Sequence, residues 1–123
     1  MMQGGWGRTS MRDSFARRAP IEPIKGRPKV IAHSTFWYMT ESGKEVIRYH
    51  LTDVVVKDGN SHVLNSGGWE TKTTLDRLNR YNPTRVFSHK GIWYVGHQDD
   101  RCPVQVYRKF FDGIRIPEDV FDE

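Results

Sequence analysis

The chain is short of several things, and each shortage excludes something. One cysteine, Cys102, stands among 123 residues. No internal disulfide can therefore hold the fold, and a reducing cytoplasm is the expected compartment. No apolar run approaches the ~20 residues that span a bilayer, so no membrane partner is expected. Nothing apolar follows the first basic residues in the manner of a secretory signal. No segment recurs at a period of roughly 20–50 residues, which argues against a repeat array. Acidic residues do not dominate, at 15 against 19 basic ones for a formal charge of +4. A DNA mimic would need the opposite balance.

Catalytic and metal signatures are equally sparse. The histidines His33, His50, His62, His89 and His97 form neither H-x-x-x-H nor H-E-x-x-H. His97, Gln98, Asp99, Asp100 and Cys102 are the densest run of ligand types. Their spacing does not describe a closed site, and the stretch reads as a solvated polar loop. His50-Leu51-Thr52 matches once the H-x-[ST] pattern that two-histidine phosphodiesterases carry twice. Asp53 and Glu70 would have to be brought together to act as an acid–base pair. Neither a cofactor nor a metal is expected.

What is present begins with an uneven charge. Residues 1–30 hold seven of the basic side chains against two acidic ones, leaving the remainder close to neutral. Gly4, Gly5, Gly7, Pro20, Pro23 and Pro28 punctuate this region. It reads as a basic arm over residues 1–28, with a single domain over residues 29–123. Within the arm, Ser10 and Asp13 can cap one short helical piece, Met11 to Arg18.

The body is organised around Leu64-Asn65-Ser66-Gly67-Gly68-Trp69-Glu70-Thr71-Lys72-Thr73-Thr74 and the residues that follow it. Gly67 and Gly68 permit a sharp exit from a strand. Thr73 and Asp76 have capping-box spacing, with Leu75 and Leu78 on one face of a short helix. Asn82-Pro83 ends it. Hydroxyls, Lys72 and free amides at the helix start are compatible with an anion.

The rest is strand-like. Thr35 to Met39 and Glu45 to Leu51 flank the Glu41-Ser42-Gly43-Lys44 turn. The alternation then slips, predicting a bulge or bend near Thr52-Asp53. Turns are predicted at Lys57-Asp58-Gly59-Asn60, His89-Lys90-Gly91 and Asp112-Gly113. Strands are predicted at Arg85 to Ser88, Ile92 to Val95 and Val104 to Arg108, and a frayed acidic end from Glu118. The fold class is α+β: a curved antiparallel sheet, one short principal helix packed on it, and the basic arm.

The run Leu64-Asn65-Ser66-Gly67-Gly68-Trp69-x-Thr71-x-Thr73-Thr74-x-x-Arg77-x-Asn79 carries a resemblance. With Arg48-x-His50-x-Thr52-x-Val54 before it and Gly91-x-Trp93-Tyr94-Val95 after it, it resembles a group of small bacteriophage-encoded proteins of uncharacterised function. The resemblance covers residues 45–96. It implies a phage or prophage gene acting in a bacterial cytoplasm. It implies no activity.

The aromatics Trp37, Tyr38, Tyr49, Trp69, Phe87, Trp93, Tyr94 and Tyr107 fall in or beside strands. Outward rings among Arg48, Arg85 and Arg108 would make a stacking platform for single-stranded nucleic acid. The expectation is a non-catalytic nucleic-acid-binding module for DNA or RNA. Its candidate contacts are Arg12, Arg17, Arg18, Arg48, Trp69, Lys72, Thr73, Arg77 and Arg80. Two alternatives stand beside it: a phage modulator that binds and inhibits a host protein, such as a defence or transcription enzyme, and a small hydrolase using His50 or His62. A homodimer is compatible with any of these.

Overall fold

Strands form largely where the alternation placed them. The computed structural model describes residues 10–82, 84–97, 106–116 and 118–121. Helix α1 (Met11–Arg17) is capped by the Ser10 hydroxyl, which accepts from the Asp13 amide at 3.0 Å. Five strands follow: β1 (Ile24–Ala32), β2 (Thr35–Thr40), β3 (Glu45–Tyr49), β4 (Thr52–Asp58) and β5 (Ser61–Leu64). Next come helix α2 (Lys72–Arg80), then β6 (Arg85–His89), β7 (Ile92–His97), β8 (Val106–Lys109), β9 (Ile114–Ile116) and the one-turn helix α3 (Glu118–Phe121).

The α+β architecture and the antiparallel pairing are as expected, but the strands make two sheets. One has the order β1-β2-β3-β4-β5-β9 and the other β6-β7-β8. The last strand returns across the chain to pair Ile114 with Leu64 and Ile116 with His62. Between the sheets lies the main core. Ile47, Val55, Leu64, Ile114 and Ile116 come from the larger sheet, and Val86, Trp93 and Val95 from the smaller. Leu78 of α2, Phe110 and Val120 of α3 complete it. Each such buried side chain contributes about 1.5–3 kcal/mol. On the far face of the larger sheet, Tyr38, Val46 and Val56 form a second cluster with Phe15 of α1, Ile24 and Val63.

Several boundaries differ from the sequence reading. β1 begins at Ile24 and α1 docks on the sheet, so residues 10–28 do not stand apart from the body. The acidic end from Glu118 to Phe121 is helical, with Val120 in the core. The slip near Thr52 contains a full chain reversal: β3 and β4 form a hairpin with Tyr49 opposite Thr52. His50, in the turn, has φ 53°. The anticipated bulge is real and sits at Val54, because Ile47 faces Val55 while Arg48 faces Asp53. The N-cap of α2 is Thr71, whose hydroxyl accepts from the Thr74 amide at 3.2 Å, rather than Thr73 with Asp76. The polar loop through Asp99, Asp100 and Cys102 lies outside the described residues, as do residues 1–9.

Candidate nucleic-acid interface

Arg48 shows why a basic residue on a strand need not face water. The bulge at Val54 turns Asp53 onto the same face, and the Arg48 Nε reaches Asp53 Oδ1 at 2.7 Å. A second bond joins Nη2 to Oδ2 at 3.2 Å. The rest of the guanidinium donates to backbone carbonyls of Ser14 (3.3 Å), Arg18 (2.7 Å) and Ala19 (3.3 Å). Its carbon lies 4.4 Å from the centre of the Phe15 ring and 5.7 Å from that of Tyr38. The residue is 0% exposed. Arg48 is therefore the clamp that fastens α1 and the residues after it to the sheet, and the expectation that it would meet a phosphate is corrected. Tyr38 donates to Asp53 at 3.1 Å. Burial first, and the Asp53 charge second, push its hydroxyl pKa up, so it remains a donor.

The corner after β5 is held from several sides. The Ser66 amide and hydroxyl both donate to Asp112 Oδ1, at 2.7 and 2.8 Å. Gly67 has φ +68°, and a Cβ there would lie 2.2 Å from the Thr52 hydroxyl oxygen. Only glycine lets the corner approach the β3–β4 hairpin this closely. Thr74 is buried against Thr71. Asn79 then ties α2 to β6, donating to the Val86 carbonyl at 2.9 Å and accepting from its amide at 2.7 Å. Most of the phage-like motif is thus structural. Its one large apolar side chain left in solvent is Trp69, 69% exposed.

Between this corner, the β3–β4 turn and the end of α1 lies a cavity of about 410 Å³. Arg17, Tyr49, His50, Leu51, Thr52 and Trp69 are among its walls, together with Ser66, Thr71 and Thr74. Burial, then the charges of His33 and Arg77, holds the His50 pKa below its ordinary value, favouring a neutral imidazole. The sequence-selected residues divide accordingly. Arg17 and Trp69 line this cavity, with Lys72 and Thr73 exposed on the adjoining first turn of α2. Arg12 and Arg18 are exposed at α1. Arg77 is buried, donates to Thr35 Oγ1 at 2.8 Å and sits over the Tyr49 ring, so it supports the hairpin instead of facing outward. Arg80 is exposed and paired with Asp76 at 3.1 Å.

A second surface lies on the outer face of the small sheet, opposite Val86, Trp93 and Val95. Phe87 and Tyr94 face each other across the β6–β7 hairpin, their rings stacked 5.7 Å apart. Tyr107 of β8 joins them at 5.9 Å from Phe87 and 5.8 Å from Tyr94. Tyr107 is 53% exposed. Arg85 shares a register row with Tyr107 through Gly96, and Lys109 is opposite Tyr94. Among the described residues of these strands and the β6–β7 turn, Arg85, Lys90, Arg108 and Lys109 are cationic and none is acidic. The sequence reading named these rings and Arg85 but did not assemble the trio, and it missed Lys109. The hairpin signal held half of the answer, because Phe87 and Tyr94 are equidistant from Lys90-Gly91. Both turn residues have positive φ, as a two-residue hairpin of this kind requires.

The histidines do not converge. His62 is on β5 opposite Lys57, which faces Glu45 at the start of β3, whereas His50 follows the end of β3. Asp53 is occupied by Arg48 and Tyr38, and Glu70 is exposed. Among the described residues no three histidine, cysteine or carboxylate side chains gather as a metal site would require.

Fold and surface together define a small α+β protein of two facing antiparallel sheets with short helices at their margins, carrying a basic aromatic face. Residues 17–117 match the family model described as the Kyanoviridae Gp96 protein. The match spans most of the chain, and the protein belongs to that phage-encoded family. No curated protein and no solved structure matches it.

Proposed function

We propose that this phage protein is a non-catalytic module that binds single-stranded nucleic acid in the bacterial cytoplasm, with the outer face of β6-β7-β8 as its platform. The observation that carries the reading is the Phe87–Tyr94–Tyr107 trio, three rings within 6 Å of each other on the outer face of the small sheet, with Tyr107 exposed and Phe87 and Tyr94 half-buried. Arg85 and Lys109 border it, with no carboxylate among the described residues of those strands. Base stacking contributes about 1–3 kcal/mol per base and tolerates any sequence. Cations beside the rings neutralise phosphates and make affinity fall with salt. A duplex keeps its bases stacked on one another, so the rings favour single strands.

The test is a gel shift with single- and double-stranded DNA and RNA at two salt concentrations. Single-strand retardation that weakens with salt is the expected result. Absence of binding at both salt levels, or equal binding to duplex, overturns the reading.

One observation favours the second reading, a host-protein partner. The edge strand β1 leaves Val30 61% and Ile31 41% exposed, with Ile21 close by in sequence at 49%. An apolar edge of this kind suits pairing with another chain. Capture of a host protein that is lost on Val30→Lys, with nucleic-acid binding absent, would favour it.

A further inference from the structure

The cavity under Trp69 is a separate feature from the aromatic platform, and its walls are specific enough to name a ligand class. At about 410 Å³ it falls within the range of small-molecule sites, ~300–1,000 Å³. Among the described residues its lining includes one guanidinium, from Arg17, and no carboxylate. Among the described residues no ion pair engages Arg17. Two aromatic rings, Tyr49 and Trp69, and the aliphatic Leu51 and Val54 supply apolar wall. The Trp69 indole is far more exposed than a packing role would leave it.

The site is also pre-formed. The Ser66–Asp112 bonds and the close approach of Gly67 to Thr52 set one side. The Arg48 clamp sets the other by fixing α1, which carries Arg17. A ligand therefore meets walls already in place, which lowers the ordering cost of binding.

We infer that this cavity binds a nucleoside monophosphate unit, its base against Trp69 and Tyr49 and its phosphate on Arg17. Flat rings beside a guanidinium select a ligand that is both aromatic and anionic. Guanidinium is the donor best matched to phosphate geometry. The choice of a nucleotide over other aromatic anions rests on the nucleic-acid reading above, while the cavity itself does not depend on it. The unit can come from a free mononucleotide or from the 5′-phosphorylated end of a strand.

Calorimetry on the full chain separates these sources. The probes are adenosine 5′-monophosphate, adenosine, and a hexanucleotide with and without a 5′-phosphate. We expect saturable binding of the monophosphate. Arg17→Gln should weaken it about 10-fold or more, and Trp69→Ala by a similar factor. Tyr107→Ala should leave it unchanged. Adenosine should bind weakly and ignore Arg17→Gln. Hexamer binding that is strengthened by the 5′-phosphate and loses that gain on Arg17→Gln assigns the site to a strand end, and monophosphate binding with no such gain in the hexamer assigns it to a free ligand. Monophosphate binding that is absent, or indifferent to both substitutions, overturns the inference. Hexamer binding that depends on Tyr107, with monophosphate binding absent, overturns this inference and leaves the platform standing. Monophosphate binding without any strand binding does the opposite.

Discussion

Replacing Arg48 with methionine removes the clamp while keeping much of its bulk, and the structure says what that must cost. The substitution deletes two bonds to Asp53 and three to the carbonyls of Ser14, Arg18 and Ala19. The Asp53 side chain is only 12% exposed and would keep Tyr38 as its remaining side-chain partner. Breaking one side of a buried ion pair typically costs about 3–5 kcal/mol, because the other charge stays buried. A single domain of this kind has ~5–15 kcal/mol in total. We therefore expect a urea midpoint shifted by a free energy of about 3–5 kcal/mol. Trypsin should cleave α1, at Arg12 and Arg17, far faster than in the unmodified chain. Removing the orphaned charge as well, in Arg48→Met with Asp53→Ala, should recover part of the loss. A single variant that stays within about 1 kcal/mol of the parent, with α1 equally resistant, would refute the clamp.

Other substitutions probe the remaining joints. Gly67→Ala combines a left-handed backbone with a 2.2 Å clash against Thr52. It should cost more than the ~1–3 kcal/mol of backbone strain alone, whereas Gly68→Ala, with φ +83° and open space around it, should pay only the strain. Equal melting temperatures for the two would contradict this. Asn79→Ala leaves the amide and carbonyl of buried Val86 without their helix partner, a loss of about 1–3 kcal/mol readable by chemical denaturation. The pH dependence has a definite sign. The folded His50 and His62 pKa values are lowered, chiefly by burial, so below the ordinary histidine value the unfolded chain binds more protons. Stability should be full above about pH 6.5 and fall as pH drops through the lowered values. His50→Asn, which tolerates positive φ, should flatten that fall, and an unchanged profile would show that His50 is not its source.

Much of the local structure was legible because it depends on neighbours in sequence. Ser10 capping through Asp13, and the turns at Gly43, Gly59, Gly91 and Gly113, follow from short-range chemistry. The β3–β4 reversal was hidden because His50 carries the positive φ without a glycine or asparagine to announce it. Thr73 and Asp76 had the spacing of a capping box, yet Thr71 takes the cap, with its hydroxyl also bonded to that of buried Thr74. Arg48 and Arg77 looked solvent-facing because alternation reports a face and not what covers it. α1 covers one, and the other reaches back to Thr35. The division into two sheets depends on β9 rejoining β5, a pairing between distant segments that periodicity does not encode. For the same reason half of the platform could be read from one hairpin, while Tyr107 entered only through the β7–β8 register.

Fluorescence anisotropy of a labelled single-stranded oligonucleotide, titrated with the parent and with Tyr94→Ala and Tyr107→Ala at several salt concentrations, reaches the core of the account. Each ring removed should weaken binding by about 1–3 kcal/mol. Arg85→Ala should lower the salt slope by about 0.7. Affinity that is unaltered by losing either ring, or a salt slope indifferent to Arg85, would contradict it.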